Sequence, residues 1–146
     1  MRGFKHVLIK DAKHLNVSTQ LPTRGSSGSA GYDFYSKETI TIQSQQSHLF
    51  WTDVSSYMLS DEVLYIFVRS SIGIKKGLVL KNGTGVIDSD YKGNIGICLF
   101  NQTNEPVVIE LGERIAQGVF HKFLIANNDL TLNDERNGGF GSSGTH

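Results

Sequence analysis

The sequence predicts an all-β fold of antiparallel strands in a single domain. Apolar residues recur at every second position or in short runs of four to six residues, which are strand lengths. Clusters of Gly, Asn, Asp and Ser separate these runs by about 8–12 residues, the spacing typical of a sandwich or barrel. A chain of 146 residues is long enough for one domain with a core and too short for two.

Eight segments satisfy these criteria. In chain order the predicted strands are residues 6–9, 32–35, 39–42, 49–54, 63–68, 95–100, 107–111 and 115–120. No stretch keeps a 3.6-residue period long enough for a substantial helix, and only residues 54–64 are compatible with a helical turn or two.

The charge balance excludes polyanionic partners. Fourteen Lys and Arg residues offset 14 Asp and Glu residues, so no long-range field gathers nucleic acid or an anionic membrane surface. A small phosphorylated ligand remains compatible, because a few arginines and backbone amides bind phosphate without net charge. We therefore expect neither a nucleic-acid nor a membrane partner.

The single cysteine and the N-terminal residues predict a cytoplasmic protein. Cys98 is the only cysteine, so no disulfide forms within the chain. Because it lies in an apolar run, a buried thiol is expected. The only apolar run near the N-terminus, residues 7–9, is too short for a signal peptide or a membrane span.

Glycines gather at residues 25–31, 73–96 and 138–144, where loops on a rigid sheet commonly carry binding sites. In the second cluster, Asp88, Asp90 and Tyr91 follow an apolar pair directly. A carboxylate fixed in a turn can accept a proton from water or bind a metal. The alternative is a hairpin in which Asp and Gly serve turn geometry alone.

Two further segments carry groups that suit phosphate, each with a simpler alternative. Arg69, Ser70 and Ser71 end a predicted strand with a guanidinium and two hydroxyls, as phosphate binding requires, but a solvated strand end has the same composition. Asp33 follows a glycine turn and is as compatible with a turn cap as with a ligand.

The C-terminal residues combine four glycines, two serines, an arginine and a phenylalanine. Glycine lets backbone N–H groups face an anion, and Arg136 and the serines add donors. Phe140 offers a flat apolar face for a base. A frayed terminus is the alternative, since Gly- and Ser-rich ends are commonly disordered.

Together, five segments in this order resemble the trimeric dUTPases, the deoxyuridine triphosphate nucleotidohydrolases. The resemblance spans nearly the whole chain, and five ordered motifs make coincidence negligible. The matching motifs are Ala-Gly-Tyr-Asp at 30–33, Arg-Ser-Ser at 69–71, Gly-Val-Ile-Asp-Ser-Asp-Tyr-Lys-Gly at 85–93, Gly-Glu-Arg-Ile-Ala-Gln at 112–117 and Arg-Asn-Gly-Gly-Phe-Gly-Ser-Ser-Gly at 136–144.

This resemblance implies a fold, an assembly and an activity. The fold is a single-domain β-clip, jelly-roll-like β-domain over residues 1–134 with a Gly/Ser-rich C-terminal lid over residues 135–146. The assembly is a homotrimer whose active sites are shared between chains. The activity is hydrolysis of dUTP to dUMP and pyrophosphate with Mg²⁺, which keeps uracil out of DNA and supplies dUMP for dTMP synthesis.

The resemblance also implies a role for each residue of the third motif. Asp88 deprotonates the water that attacks the α-phosphorus. Tyr91 packs beneath the deoxyribose and leaves no room for a ribose 2′-hydroxyl. Asn82 hydrogen-bonds the uracil ring, and backbone groups after Gly93 contact the rest of its edge.

The remaining implied roles concern the triphosphate and its metal. Asp33 orients Mg²⁺ through water, and Phe140 lies over the uracil. The phosphates are bound by residues of the second, fourth and fifth motifs: Arg69, Ser70, Ser71 and Gln117 at the α- and β-phosphates, with Arg136, Gly141, Ser142 and Ser143 closing on the nucleotide and its γ-phosphate. The fifth motif of the family usually places one more residue between its arginine and its glycine pair, so Arg136 starts from a shortened motif.

Two other functions are alternatives to hydrolysis. The sister enzyme dCTP deaminase shares the Arg-Ser-Ser segment but needs a glutamate in the strand after the third motif, and residues 94–100 contain no acid. A non-enzymatic alternative is a dUTP-gated regulatory protein that binds a partner protein, as reported for viral members of the family. A P-loop is excluded, because the C-terminal glycines lack its lysine and any following helix.

Overall fold

A computed structural model of the chain describes residues 1–131. Within these residues the chain forms twelve strands, and every strand pair is antiparallel. The strands β1 to β12 are Gly3–His6, Thr23–Arg24, Tyr32–Tyr35, Ile40–Ile42, Ser47–Trp51, Val54–Tyr57, Glu62–Val68, Leu78–Leu80, Gly85–Ile87, Gly96–Asn101, Val107–Ile109 and Arg114–Lys122. A 3-10 turn at Ile9–Asp11 and a π-helical turn at Ser71–Lys75 complete the regular structure.

The strands form four sheets, of which the five-stranded one positions the candidate site. Its order is β2-β3-β12-β7-β9, with the long strand β12 at the centre. A three-stranded sheet has the order β5-β10-β8, and the pairs β1-β6 and β11-β4 form two small sheets. The register of β12 shifts between Arg114 and Ala116, which is a β-bulge.

One hydrophobic core joins the sheets. Alternate residues of β3, β7 and β12 point inward, among them Phe34, Leu64 and Ala116, and they pack with residues of β5, β8 and β10. These residues are at most 1% exposed, so the inner face of the five-stranded sheet is packed against the core. The opposite face of that sheet is therefore available for polar chemistry.

The all-β, antiparallel fold is confirmed, and so are most predicted strands. Residues 54–64, whose sequence is compatible with a helical turn, instead contain β6 at Val54–Tyr57 and the start of β7 at Glu62. β6 shows no apolar alternation in its sequence, because two of its buried residues are the serines Ser55 and Ser56. The first strand lies three residues earlier than predicted, and its predicted end forms the 3-10 turn instead.

Two further observations bear on the sequence-based expectations. Cys98 on β10 is half-buried, so the fully buried thiol expected from its apolar run is wrong. Because alternate residues of β10 point to opposite faces, Ile97 and Leu99 take the core positions and Cys98 does not. No helix among residues 1–131 is long and apolar enough to cross a membrane.

Candidate functional site

A cavity of about 400 Å³ opens on the outer face of the five-stranded sheet. Three of the motifs, separated by up to 87 positions in the chain, contribute to its wall. The lining residues are Gly25, Ser29, Ala30, Gly31, Asp33, Phe67, Arg69, Ser70, Arg114, Gln117 and Val119. This volume lies within the range of small-ligand sites.

Strand register explains why these motifs meet. Asp33 on β3 is directly opposite Gln117 on β12, and Gln117 is opposite Phe67 on β7. Side chains in one cross-strand row project to the same face of a sheet, so the three form one wall of the cavity. Arg69 follows the last residue of β7 and reaches back toward this row.

The cavity contains one carboxylate between two guanidinium groups. The Nε of Arg69 is 2.8 Å from Oδ1 of Asp33, and a terminal nitrogen of Arg114 is 3.5 Å from Oδ2 of Asp33. The Asp33 side chain is only 10% exposed, so the Arg69 pair is partly shielded from water. Two positive groups against one negative group leave the cavity with one excess positive charge, which suits an anion.

The hydroxyls of the second motif lie at the start of the π-helical turn. Arg69 also donates to the Oγ of Ser71 at 3.3 Å. The backbone N–H groups of Ile72 and Gly73 both donate to the carbonyl of Arg69, at 3.0 and 2.8 Å. The turn therefore fixes the Arg69 backbone while leaving the Ser70 side chain exposed at the cavity.

Gln117 is held in place by a glycine and a backbone carbonyl. Its Nε2 donates to the carbonyl of Val68 at 3.3 Å. A Cβ added to Gly31 would lie 2.3 Å from Oε1 of Gln117, closer than any real contact. Glycine is therefore required at position 31 for this rotamer of Gln117.

The described residues contain no cluster of three His, Cys, Asp or Glu side chains that could hold a metal by themselves. Asp33 is the single carboxylate at the cavity. Mg²⁺ commonly binds through one or two carboxylates, several waters and substrate phosphates. Asp33, in a cavity with excess positive charge, fits that arrangement if the metal arrives together with a phosphorylated ligand.

The third motif lies away from this cavity within one chain. Ile87, the last residue of β9, is opposite Leu64 near the start of β7, whereas Arg69 follows the end of β7. Asp88 is therefore level with Val63, six residues or roughly 20 Å along β7 from Arg69. Asp88 is exposed at the sheet edge, and Asn82 lies in the exposed turn before β9.

Tyr91 is anchored below the turn that carries Asp88. Its ring is 7% exposed, its backbone N–H donates to the carbonyl of Asp88 at 3.1 Å, and its hydroxyl donates to the carbonyl of Asn94 at 2.7 Å. A Cβ on Gly93 would lie 2.7 Å from the Tyr91 hydroxyl oxygen. Only glycine at position 93 therefore leaves room for the ring in this orientation.

A buried polar cluster lies beneath the third motif. Asp53 and Lys37 are 3% and 5% exposed, and Oδ2 of Asp53 lies 3.9 Å from Nζ of Lys37. Burial acts to raise the pKa of Asp53, but hydrogen bonds from the Lys13 N–H, the Asn94 amide and the His14 N–H, with the charge of Lys37, outweigh it and lower that pKa. Burial lowers the pKa of Lys37 and outweighs the opposing charge of Asp53.

The structure thus brings Asp33, Arg69, Ser70 and Gln117 to one cavity and leaves Asn82, Asp88 and Tyr91 elsewhere on the chain. Ser71 lines an adjoining basic cavity of about 280 Å³. Arg136, Phe140, Gly141, Ser142 and Ser143 lie outside the described residues. Arg114 and Gly31 also line the cavity; both belong to the motifs, but neither was predicted as a site residue.

Comparisons with known proteins point to a single family. The family model described as dUTPase matches residues 18–144. The deoxyuridine 5′-triphosphate nucleotidohydrolase of Lactococcus lactis is 44% identical over 151 residues, covering 99% of this chain and 98% of that protein. The enzyme of the same name from Glaesserella parasuis is 36% identical, covering 90% of this chain and 92% of that protein.

Solved structures show the same similarity. The crystal structure of a dUTPase from Streptococcus mutans superimposes with a TM-score of 0.75 at 40% identity, covering 86% of this chain and 98% of that one. The dUTPase of staphylococcal bacteriophage 80α superimposes with a TM-score of 0.72 at 26% identity, covering 93% and 99%; it is described as controlling transfer of virulence genes by a G protein-like mechanism.

Proposed function

The chain belongs to the dUTPase family and is a dUTP diphosphatase, and on that premise we propose how its residues divide the reaction. dUTP is cleaved between the α- and β-phosphates to give dUMP and pyrophosphate. The observation that carries the assignment is the convergence of three motifs on one cavity with excess positive charge, where Arg69 and Arg114 flank Asp33.

The cavity on the five-stranded sheet binds the phosphates. Arg69 presents a guanidinium already oriented by Asp33, Ser70 and Ser71 supply hydroxyl donors, and Gln117 supplies an amide. Such preorganised donors lower the energy of charge that develops on the phosphate oxygens in the transition state. Asp33 would hold Mg²⁺ through water, and the ion would supply neutralisation of triphosphate charge.

Asp88 acts as the general base. An exposed carboxylate directly after a strand held in the sheet can accept a proton from a water aligned with the α-phosphorus. In-line attack then expels pyrophosphate on the opposite side, where the cavity donors stabilise the leaving oxygen. Asn82 and Tyr91 orient the nucleoside, through its uracil and its deoxyribose respectively.

The active site is shared between chains of a homotrimer. Asp88 and Arg69 of one chain are roughly 20 Å apart along β7, too far for both to reach one phosphorus. A second copy that presents its Asp88 turn to this cavity brings the base and the phosphate site together, which symmetric assembly permits. A third chain contributes residues 135–146 as a lid, with Arg136, Gly141, Ser142 and Ser143 on the phosphates and Phe140 on the uracil.

Two broader assignments accompany this chemistry. The protein acts in the cytoplasm, where nucleotide precursors of DNA are made and where the lone Cys98 stays reduced. It lowers the dUTP concentration and supplies dUMP. The regulatory alternative is not favoured, because the relatives are named for hydrolysis of deoxyuridine 5′-triphosphate.

The experiment is incubation of the purified protein and Mg²⁺ with dUTP, dTTP, dCTP or UTP in turn. Released pyrophosphate and the identity of the nucleotide product are measured. We expect rapid formation of dUMP from dUTP and little product from the other three nucleotides. Tight binding of dUTP without cleavage would contradict the proposal and favour a dUTP-gated partner protein instead.

A further inference from the structure

Asn94 connects the third motif to the interior of the fold. The residue is 6% exposed and lies two positions before β10. Its side-chain amide donates to Oδ1 of Asp53 at 2.7 Å and to the carbonyl of Asp11 at 3.2 Å, while its side-chain oxygen accepts the N–H of Asp53 at 2.9 Å. The amide nitrogen therefore donates two hydrogen bonds and the amide oxygen accepts one, all within the protein.

Asp53 extends this anchor to a distant segment. Its Oδ1 accepts the N–H of Lys13 at 2.8 Å and its Oδ2 accepts the N–H of His14 at 2.9 Å. Its backbone has a φ of 57°, a conformation uncommon outside glycine that the surrounding bonds maintain. Asp53 and Asn94 thus join three separate stretches of chain at one buried point.

The backbone carbonyl of Asn94, held by this arrangement, accepts the hydroxyl of Tyr91 at 2.7 Å. The ring lies close to Gly93, the residue is 7% exposed and the hydroxyl is engaged, so the surrounding protein restrains the ring. The hydroxyl thus serves as a tether for the ring, which in the proposed function is the group that packs against the deoxyribose. A shift of the Asn94 carbonyl would therefore move the Tyr91 ring relative to a bound sugar.

We propose that Asn94, fixed by Asp53, is a positioning residue for sugar discrimination, because it tethers the Tyr91 ring where a 2′-hydroxyl would collide with it. This inference rests on the proposed role of Tyr91 beneath the deoxyribose. Steric exclusion of one oxygen atom depends on sub-ångström placement, and close packing transmits a shift of the anchor to the ring. The side chains of Asn94 and Asp53 bond to each other and to the protein backbone, so their role is to position Tyr91.

Asn101 provides a matched control at the opposite end of β10. It is 0% exposed, and its amide donates to the carbonyls of Ile42 and Glu105 at 2.9 and 2.7 Å. Its side-chain oxygen accepts the N–H and the hydroxyl of Thr103. Asn101→Ala therefore removes a comparable buried network without touching Tyr91.

The experiment compares Asn94→Ala with Asn101→Ala. The ratio of kcat/KM for dUTP to kcat/KM for UTP is measured, since this ratio does not depend on the fraction of folded enzyme. We expect both variants to melt at lower temperature, and the ratio to fall about tenfold or more in Asn94→Ala only. The NMR signal of the Tyr91 hydroxyl proton, protected by its hydrogen bond, should be lost in the same variant.

An Asn94→Ala enzyme with the wild-type ratio would overturn the inference, and so would an equal fall in Asn101→Ala. If Asn94→Ala does not fold, Tyr91→Phe decides, because it removes only the tethering hydroxyl and should lower the ratio similarly. Wild-type protein that leaves dUTP intact would overturn the proposed function itself, an outcome distinct from active wild type with unaltered variants.

Discussion

Asp33 and Arg69 form an ion pair of 2.8 Å between Oδ1 and Nε, although 36 positions of sequence separate them. The pair crosses β12, whose Gln117 is opposite Asp33. The carboxylate thus sets the direction of the guanidinium before any substrate arrives, and the cost of ordering Arg69 is met during folding.

Asp33→Asn should therefore weaken substrate binding. We expect KM for dUTP to rise about tenfold, equivalent to ~1.4 kcal/mol, with a smaller change in kcat. Steady-state kinetics over a range of Mg²⁺ concentrations measure this, and the loss should persist at saturating Mg²⁺ because the orientation of Arg69 is affected. Asp61→Asn is the control: Asp61 pairs with Lys122 at 2.9 Å on the exposed surface, so its loss should leave KM unchanged. Full recovery of Asp33→Asn with Mg²⁺ would assign Asp33 to the metal alone.

Gly31→Ala should displace Gln117. The added Cβ would lie 2.3 Å from Oε1, and since that atom ends a flexible side chain, the fold should survive while the rotamer changes. We expect kcat/KM for dUTP to fall roughly threefold to tenfold. Gly28→Ala has no atom within 4 Å of its new Cβ and should behave as wild type. Equal kinetics for the two variants would show that Gln117 needs no such support.

Asp53 should contribute to stability in a pH-dependent manner. Its pKa in the folded protein lies below the ordinary value of 3.8, so folding favours the charged form. The contribution is complete above about pH 5 and decreases as the pH falls below about 4 toward the folded-state pKa. Asp53→Asn should thus lower the unfolding free energy most at neutral pH, and the two proteins should converge in acid. Denaturant titrations at several pH values measure the difference; a gap that widens in acid would refute the assigned sign.

Deletion of residues 135–146 tests the proposed lid. The described β-domain ends before this segment, so we expect a folded protein of unchanged oligomeric state. Hydrolysis of dUTP should fall by at least about a hundredfold, since a closing element aligns substrate and excludes water. Light scattering and pyrophosphate release provide the two readouts. Wild-type turnover in the truncated protein would remove the C-terminal residues from the mechanism.

Strands whose own residues form an apolar pattern were predicted, and strands without such a pattern were not. β3 and the core of β7 were located closely, because an alternating or fully apolar run needs no distant partner to be recognised. β8 and β9 were missed as strands, since each has only three residues among turn-forming glycines. β6 was not predicted as a strand, because its buried serines do not resemble core residues.

The site shows the same division. The motifs located the segments that line the cavity, but the ion pair of Asp33 with Arg69 depends on strand order, which composition and spacing do not encode. The tether between Asn94 and Tyr91 is not predictable from sequence for a different reason: its acceptor is a backbone carbonyl, which every residue has. Only the fold shows which carbonyl is in reach.

Mixing of two inactive variants tests the shared active site most directly. Asp88→Asn removes the base and Arg69→Ala removes a phosphate contact, and each alone should reduce dUTP hydrolysis to near background. If each site takes Arg69 from one chain and Asp88 from another, unfolding and refolding the two together in equal amounts should regenerate about a quarter of the wild-type sites. Activity in the mixture near that level, with none in either variant refolded alone, is the predicted result. A mixture as inactive as its components would contradict the account and place both residues in one chain's site.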